Sequence, residues 1–94
     1  MPILKKAIET YGKDMQLTVA VEELSELIKE ICKNKRGADN RKNIIEEMAD
    51  CFIMLEQLAI IFDIPNHAIN EVASQKISRL EKRLDEGEAN DGTR

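Results

Sequence analysis

The fold class that the sequence predicts is all-α, a four-helix-bundle-type unit, and three observations predict it. Aromatics make up only 3% of the chain, strand formers are scarce, and Leu, Ile, Glu, Lys and Ala abound. Apolar residues recur at i, i+3, i+4 and i+7 through four successive stretches. Between those stretches stand residues that interrupt helices, namely Gly12, Gly37 and Pro65. At 94 residues the chain is one domain. A monomer of this size buries only about 60–65% of its unfolded surface, so added burial from a partner would matter.

The first helix is expected near residues 2–11, with Pro2 at its first position and Ile3, Leu4, Ala7 and Ile8 at helical spacing. The second starts at about Asp14, a plausible N-cap, and carries the stripe Leu17, Ala20, Val21, Leu24, Leu27, Ile28 and Ile31. Lys33, Lys35 and Arg36 suit its C-terminal dipole, and Gly37 its left-handed stop. With Asp39 or Asn40 as cap, a third helix spans about Arg41 to Phe62, with Ile44, Ile45, Met48, Phe52, Leu55, Ala59 and Phe62 as its core stripe. Ile53, Ile60 and Ile61 make that helix apolar on other sides too, which predicts cover from a second subunit. A fourth helix follows Pro65 and Asn66 and rests on Ile69, Ala73, Ile77, Leu80 and Leu84. The helical domain is thus expected over 1–84, and the acidic, aperiodic segment 85–94 as a disordered tail.

Composition excludes several function classes. The balance of 14 basic against 18 acidic residues, net charge −4 and no Trp, argues against a nucleic-acid binder, which needs basic excess and stacking aromatics. The longest apolar run, Cys51 to Ile64, is broken by Glu56, Gln57 and Asp63 and falls short of the roughly 20 residues a membrane span requires. No apolar leader precedes a small-residue cleavage site. Cys32 and Cys51 form no CxxC pattern and read as small buried hydrophobes in a reducing compartment. The expectation is a soluble, cytoplasmic protein.

Chemistry is concentrated in three polar strips at the margins of the apolar stripes. On the second helix Gln16, Glu23, Glu26 and Glu30 fall together; on the third, Asn43, Glu47 and Asp50; on the fourth, Lys76, Arg79 and Arg83 beside Val72. Glu23–Glu26 and Glu47–Asp50 are i, i+3 pairs, each placing two carboxylates on one side of a helix. Four converging carboxylates do not ionise together without a cation, and their hard oxygens suit Mg²⁺, with Mn²⁺ as a substitute. Di-iron bundles use Glu-x-x-His, and the single histidine, His67, makes no such pair; it reads as an exposed residue of a first helical turn. Taken singly, each strip also reads as an ordinary solvated face, with Lys76, Arg79 and Arg83 pairing to Glu71 or Glu81, and Glu46 and Glu56 belong there too.

Val21-Glu22-Glu23-Leu24-Ser25-Glu26-Leu27, a spacer of 20 residues after Glu26, and Glu47-Met48-Ala49-Asp50 together resemble the MazG-like all-α nucleoside triphosphate pyrophosphohydrolases. Gly12 and Gln16 upstream and Lys76, Arg79 and Arg83 downstream fit the same pattern, which runs from about Gly12 to Arg83. The resemblance implies Mg²⁺-dependent cleavage of (deoxy)nucleoside triphosphates between the α- and β-phosphates, giving the monophosphate and pyrophosphate. It implies that Glu23, Glu26, Glu47 and Asp50 hold metal, that Lys76, Arg79 and Arg83 contact phosphates, and that the assembly is a homodimer or a tetramer. Glu23 is the favoured general base, and Gln16 a candidate contact to substrate or metal-bound water. Phosphoribosyl-ATP pyrophosphohydrolase has a similar acidic core but a histidine soon after the second motif, where this chain has Cys51-Phe52-Ile53-Met54-Leu55. A non-catalytic helical interaction module, with the third helix as a dimer seam, is the reading from another class.

Overall fold

In the computed structural model, residues 2–87 are described, and they form four helices and no strand. These are α1 (Pro2–Tyr11), α2 (Lys13–Lys35), α3 (Arg41–Ile61) and α4 (Asn66–Asp85). All-α is therefore correct. The described residues fall into two compact units, one ending at Asp63 and the other beginning at Ile64.

Within the first unit a single residue separates α1 from α2. Gly12 lies at φ 94°, ψ 148°, backbone open in practice to glycine alone. Its N–H still donates to the Ile8 carbonyl at 2.8 Å, and its own carbonyl accepts from Gln16 N–H at 3.1 Å. One helix thus ends and the next begins on the same residue, and α1 turns back to pack Leu4 and Ile8 against α2 and α3. Gly12, rather than Asp14, occupies the N-cap.

α2 and α3 form the body of the unit. Residues 36–40 join them, and three hydrogen bonds define them as an antiparallel pair: two from Asn40 Nδ2, just before α3, to Glu30, and one from Cys51 Sγ to the Glu23 carbonyl at 3.4 Å. The seam on α2 consists of Gln16, Ala20, Glu23, Leu27 and Glu30, and that on α3 of Ile44, Glu47, Cys51, Met54, Leu58 and Ile61, each buried or half-buried. Steps of alternating three and four residues keep both seams facing each other.

This corrects the expected stripes. Val21, Leu24, Ile28 and Ile31 on α2, with Ile45, Met48, Phe52 and Leu55 on α3, are exposed; Phe52 is 63% so. Each helix carries apolar residues over so wide an arc that periodicity alone does not select the side facing its neighbour. On both helices the exposed arc is rotated by about a third of a turn from the seam in the same sense. Because the helices are antiparallel, the two arcs emerge on one side of the hairpin as a continuous apolar face. Cys32 is exposed and only Cys51 is buried, so the first thiol is also corrected.

α3 stops at the C-cap Phe62, followed by Asp63 in the left-handed region at φ 55°. In the second unit, α4 follows its N-cap Pro65 and exposes His67 in the first turn. It carries an apolar groove of Ile64, Ala68, Ile69, Val72 and Ala73, with Lys76 at the end. The helix reaches Asp85, one residue beyond the expected boundary, and residues 88–94 of the expected tail lie outside the described residues.

Candidate metal centre

The two acidic motifs meet across the α2–α3 seam. One carboxylate oxygen each from Glu23, Glu47 and Asp50 lies within 4.8 Å of the others. Helical spacing puts Glu47 and Asp50 on one side of α3, and the antiparallel register brings them level with Glu23. Cys51, next after Asp50, fastens that level by donating its thiol proton to the Glu23 carbonyl.

Gathering the acids raises their proton affinity. Burial pushes the Glu23 carboxyl up, helped by the charges of Asp50, Glu47 and Glu26. Glu47 is raised for the same leading reason, burial, and then by Asp50, Glu26 and Glu30. Burial likewise lifts the Cys51 thiol, with the three carboxylates adding to it. Glu47 Oε2 is buried without a hydrogen-bond partner. A buried, unpartnered carboxylate oxygen facing two further carboxylates is an arrangement that a cation relieves.

Glu26 stands outside the group of three. It is exposed and pairs with Lys29 at 4.0 Å, while its charge still acts on Glu23 and Glu47. Glu30, placed by spacing at the margin of the stripe, is instead 6% exposed, inside the seam. Asn40 Nδ2 donates to its carbonyl at 2.9 Å and to Oε1 at 2.8 Å, and Lys33 pairs with Oε2 at 3.3 Å. The Asn40 bond leads the effects that hold this carboxyl below its usual range, with Lys33 and Asn43 contributing. Asn40 is the N-cap of α3 by position, yet its side chain makes no cap hydrogen bond: Nδ2 donates to Glu30 and Oδ1 accepts from Asn34 Nδ2 at 3.4 Å.

Gln16 is buried at 7% exposure, and Gln57 on α3 at 5%, with its Oε1 unpartnered. Sequence reasoning passed over Gln57 as a mere break in an apolar run; the signal lay in its position seven residues after Asp50, on the same side of the helix. Lys76, Arg79 and Arg83 share one side of α4, in the second unit. Arg83 is half-buried, and its Nε and Nη2 have no hydrogen-bond partner among the described residues.

The family model described as MazG nucleotide pyrophosphohydrolase domain matches residues 12–86. The chain belongs to the MazG family. The match starts at the glycine that opens α2 and spans both acidic motifs and α4. No curated protein and no solved structure matches the chain. Among the described residues, no helix is long and apolar enough to cross a membrane.

Proposed function

We propose that this MazG domain hydrolyses (deoxy)nucleoside triphosphates between the α- and β-phosphates, releasing a nucleoside monophosphate and pyrophosphate, with Mg²⁺ or Mn²⁺ as the required ion. The observation that carries this reading is the convergence of carboxylate oxygens from Glu23, Glu47 and Asp50 within 4.8 Å, with Glu47 also keeping a buried Oε2 that has no hydrogen-bond partner. An all-oxygen, all-anionic donor set suits a hard divalent cation. Glu23, Glu47 and Asp50 would hold it, with Glu26 joining through rotation of a side chain tied only by a surface ion pair. When bound, the ion supplies charge neutralisation for the phosphates and acidifies a water.

This chain's own residues do the rest. Glu23, whose carboxyl is raised by burial and neighbouring acids, is suited to take the proton from the attacking water. The water oxygen bonds to the α-phosphorus, the bond from that phosphorus to the bridging oxygen breaks, and pyrophosphate leaves. Lys76, Arg79 and Arg83 bind the phosphates; the unpartnered Arg83 nitrogens are donors that a phosphate satisfies. Gln16 contacts substrate at the far end of the seam. The molecule assembles as a homodimer or tetramer, supported by the continuous apolar face of α2 and α3. Two free thiols suit a reducing cytoplasm.

A pyrophosphate-release assay across the common nucleotides tests the reading. Turnover that needs metal and an intact Glu47 supports it. No turnover, with no metal-dependent rise in melting temperature, leaves the helical interaction module.

A further inference from the structure

Polar side chains recur at intervals of seven along the α2–α3 pair: Gln16, Glu23 and Glu30 in the seam on α2, and Asn43, Asp50 and Gln57 along one flank of the α3 seam, with Asn43 exposed, Asp50 half-buried and Gln57 buried. Antiparallel pairing matches them level by level. Asn40, three residues before Asn43, bonds Glu30, and Cys51, next to Asp50, bonds the Glu23 carbonyl, while carboxylate oxygens of Asp50 and Glu23 lie within 4.8 Å of each other. One further step of seven along each helix places Gln16 opposite Gln57. Successive layers are about 10 Å apart along the seam, at 1.5 Å rise per residue.

The outer two layers differ in one respect. The Glu30 layer is closed by its own chain, with Asn40 and Lys33 occupying the carboxylate. In the opposite layer, Gln57 is 5% exposed and its Oε1 accepts nothing. An amide oxygen buried in this way lacks a donor that would repay its desolvation. Of the two directions leading away from the carboxylates, only the one toward Gly12 and α1 ends on an open hydrogen-bonding position.

We propose that Gln57, with Gln16 opposite, is the specificity-determining position for the nucleoside end of the substrate, accepting a hydrogen bond from an N–H of the base or a hydroxyl of the sugar. The inference rests on the reading above, since it takes the phosphates to lie at the carboxylates. A nucleotide bound there by its phosphates extends one layer along the seam before its uncharged polar groups begin. A site built to hydrogen-bond such a group rejects analogues lacking it, because the buried amide is then left unpaired.

The test is equilibrium binding of α,β-methylene analogues of the common ribo- and deoxynucleotides, with Mn²⁺, to the full chain and to Gln57→Met and Gln16→Met. The wild type is expected to discriminate among the analogues by about tenfold or more. Gln57→Met should compress that spread to about threefold, with affinity for Mn²⁺ alone and for pyrophosphate unchanged. A compressed spread among bases assigns the donor to the base; compression only between ribose and deoxyribose assigns it to the sugar. An unaltered spread in a folded Gln57→Met, or a wild type that binds all analogues equally or none, overturns the proposal. Selective binding of the analogues without cleavage of the parent nucleotides leaves this subsite standing while the hydrolytic reading fails.

Discussion

Glu47 is the residue on which the site turns, because it joins two neighbouring carboxylates and keeps one buried oxygen without a partner. Replacing it with Gln removes a charge from a repelling cluster while preserving its volume. Glu47→Gln is therefore expected to raise the melting temperature of the metal-free protein at neutral pH, and to abolish the further rise that Mg²⁺ brings to the wild type. Activity should fall by about 10²–10³-fold or more, the scale of losing one preorganised electrostatic group. Paired thermal scans with EDTA and with Mg²⁺ check the first two, and a rate assay the third. Gly12 presents a backbone demand instead of a chemical one. A Cβ there meets no atom within 4 Å, so Gly12→Ala is strained only by its φ of +94°. It should cost about 1–3 kcal/mol in a urea titration.

At the scale of elements, the loop between α2 and α3 is held by the side chain of Asn40 on a buried carboxylate. Asn40→Ala leaves Glu30 in the seam without its closest donor and should destabilise the protein by about 1–3 kcal/mol, measured by denaturant unfolding. Asn40→Asp should do worse, placing a second anion against the first. The number and type of helices, and their boundaries to within a residue or two, were legible from spacing and from Gly12, Gly37 and Pro65. Their rotation was not. α2 and α3 carry branched and aliphatic residues on so many sides that the widest apolar arc suggested the seam, whereas Gln16, Glu23, Glu30 and Glu47 are among the residues that occupy it. Buried polar side chains invert the usual assignment when they satisfy one another or await a ligand. The acidic motifs themselves were legible because i, i+3 spacing places carboxylates regardless of rotation; that Glu26 stands apart, paired to Lys29, depends on side-chain placement that spacing does not encode.

For the whole molecule, the first unit has a thin core, with Leu4, Ile8, Ala20, Cys51 and Met54 as its buried apolar residues, beside a broad exposed apolar face. Self-association through that face would add the missing burial. Phe52→Asp, at the middle of the face on α3, should convert the assembly to monomers in sedimentation velocity; a wild type that is monomeric at high micromolar concentration contradicts this. Proton linkage acts on the same scale. Glu23 and Glu47 have folded-state affinities for protons above those of the unfolded chain, so their contribution is fully present below the unfolded carboxylate range. It is lost as pH rises through their raised values. Glu30 runs the other way, stabilising above the unfolded range and losing that contribution as pH falls through its lowered value. In EDTA, the melting temperature should therefore decline from mildly acidic toward neutral pH, and Mg²⁺ should cancel that decline. A metal-free profile that climbs toward neutrality contradicts the charge repulsion assigned to the cluster.

The central claim is that the converging carboxylates support metal-dependent cleavage at the α-phosphate. ³¹P NMR of nucleoside triphosphates incubated with the protein and Mg²⁺, beside a Glu47→Ala control, tests it most directly. The account predicts equal amounts of nucleoside monophosphate and pyrophosphate from at least one nucleotide, with neither formed in EDTA or by the variant. Nucleoside diphosphate with orthophosphate, turnover that survives the loss of Glu47, or no product from any nucleotide would contradict it.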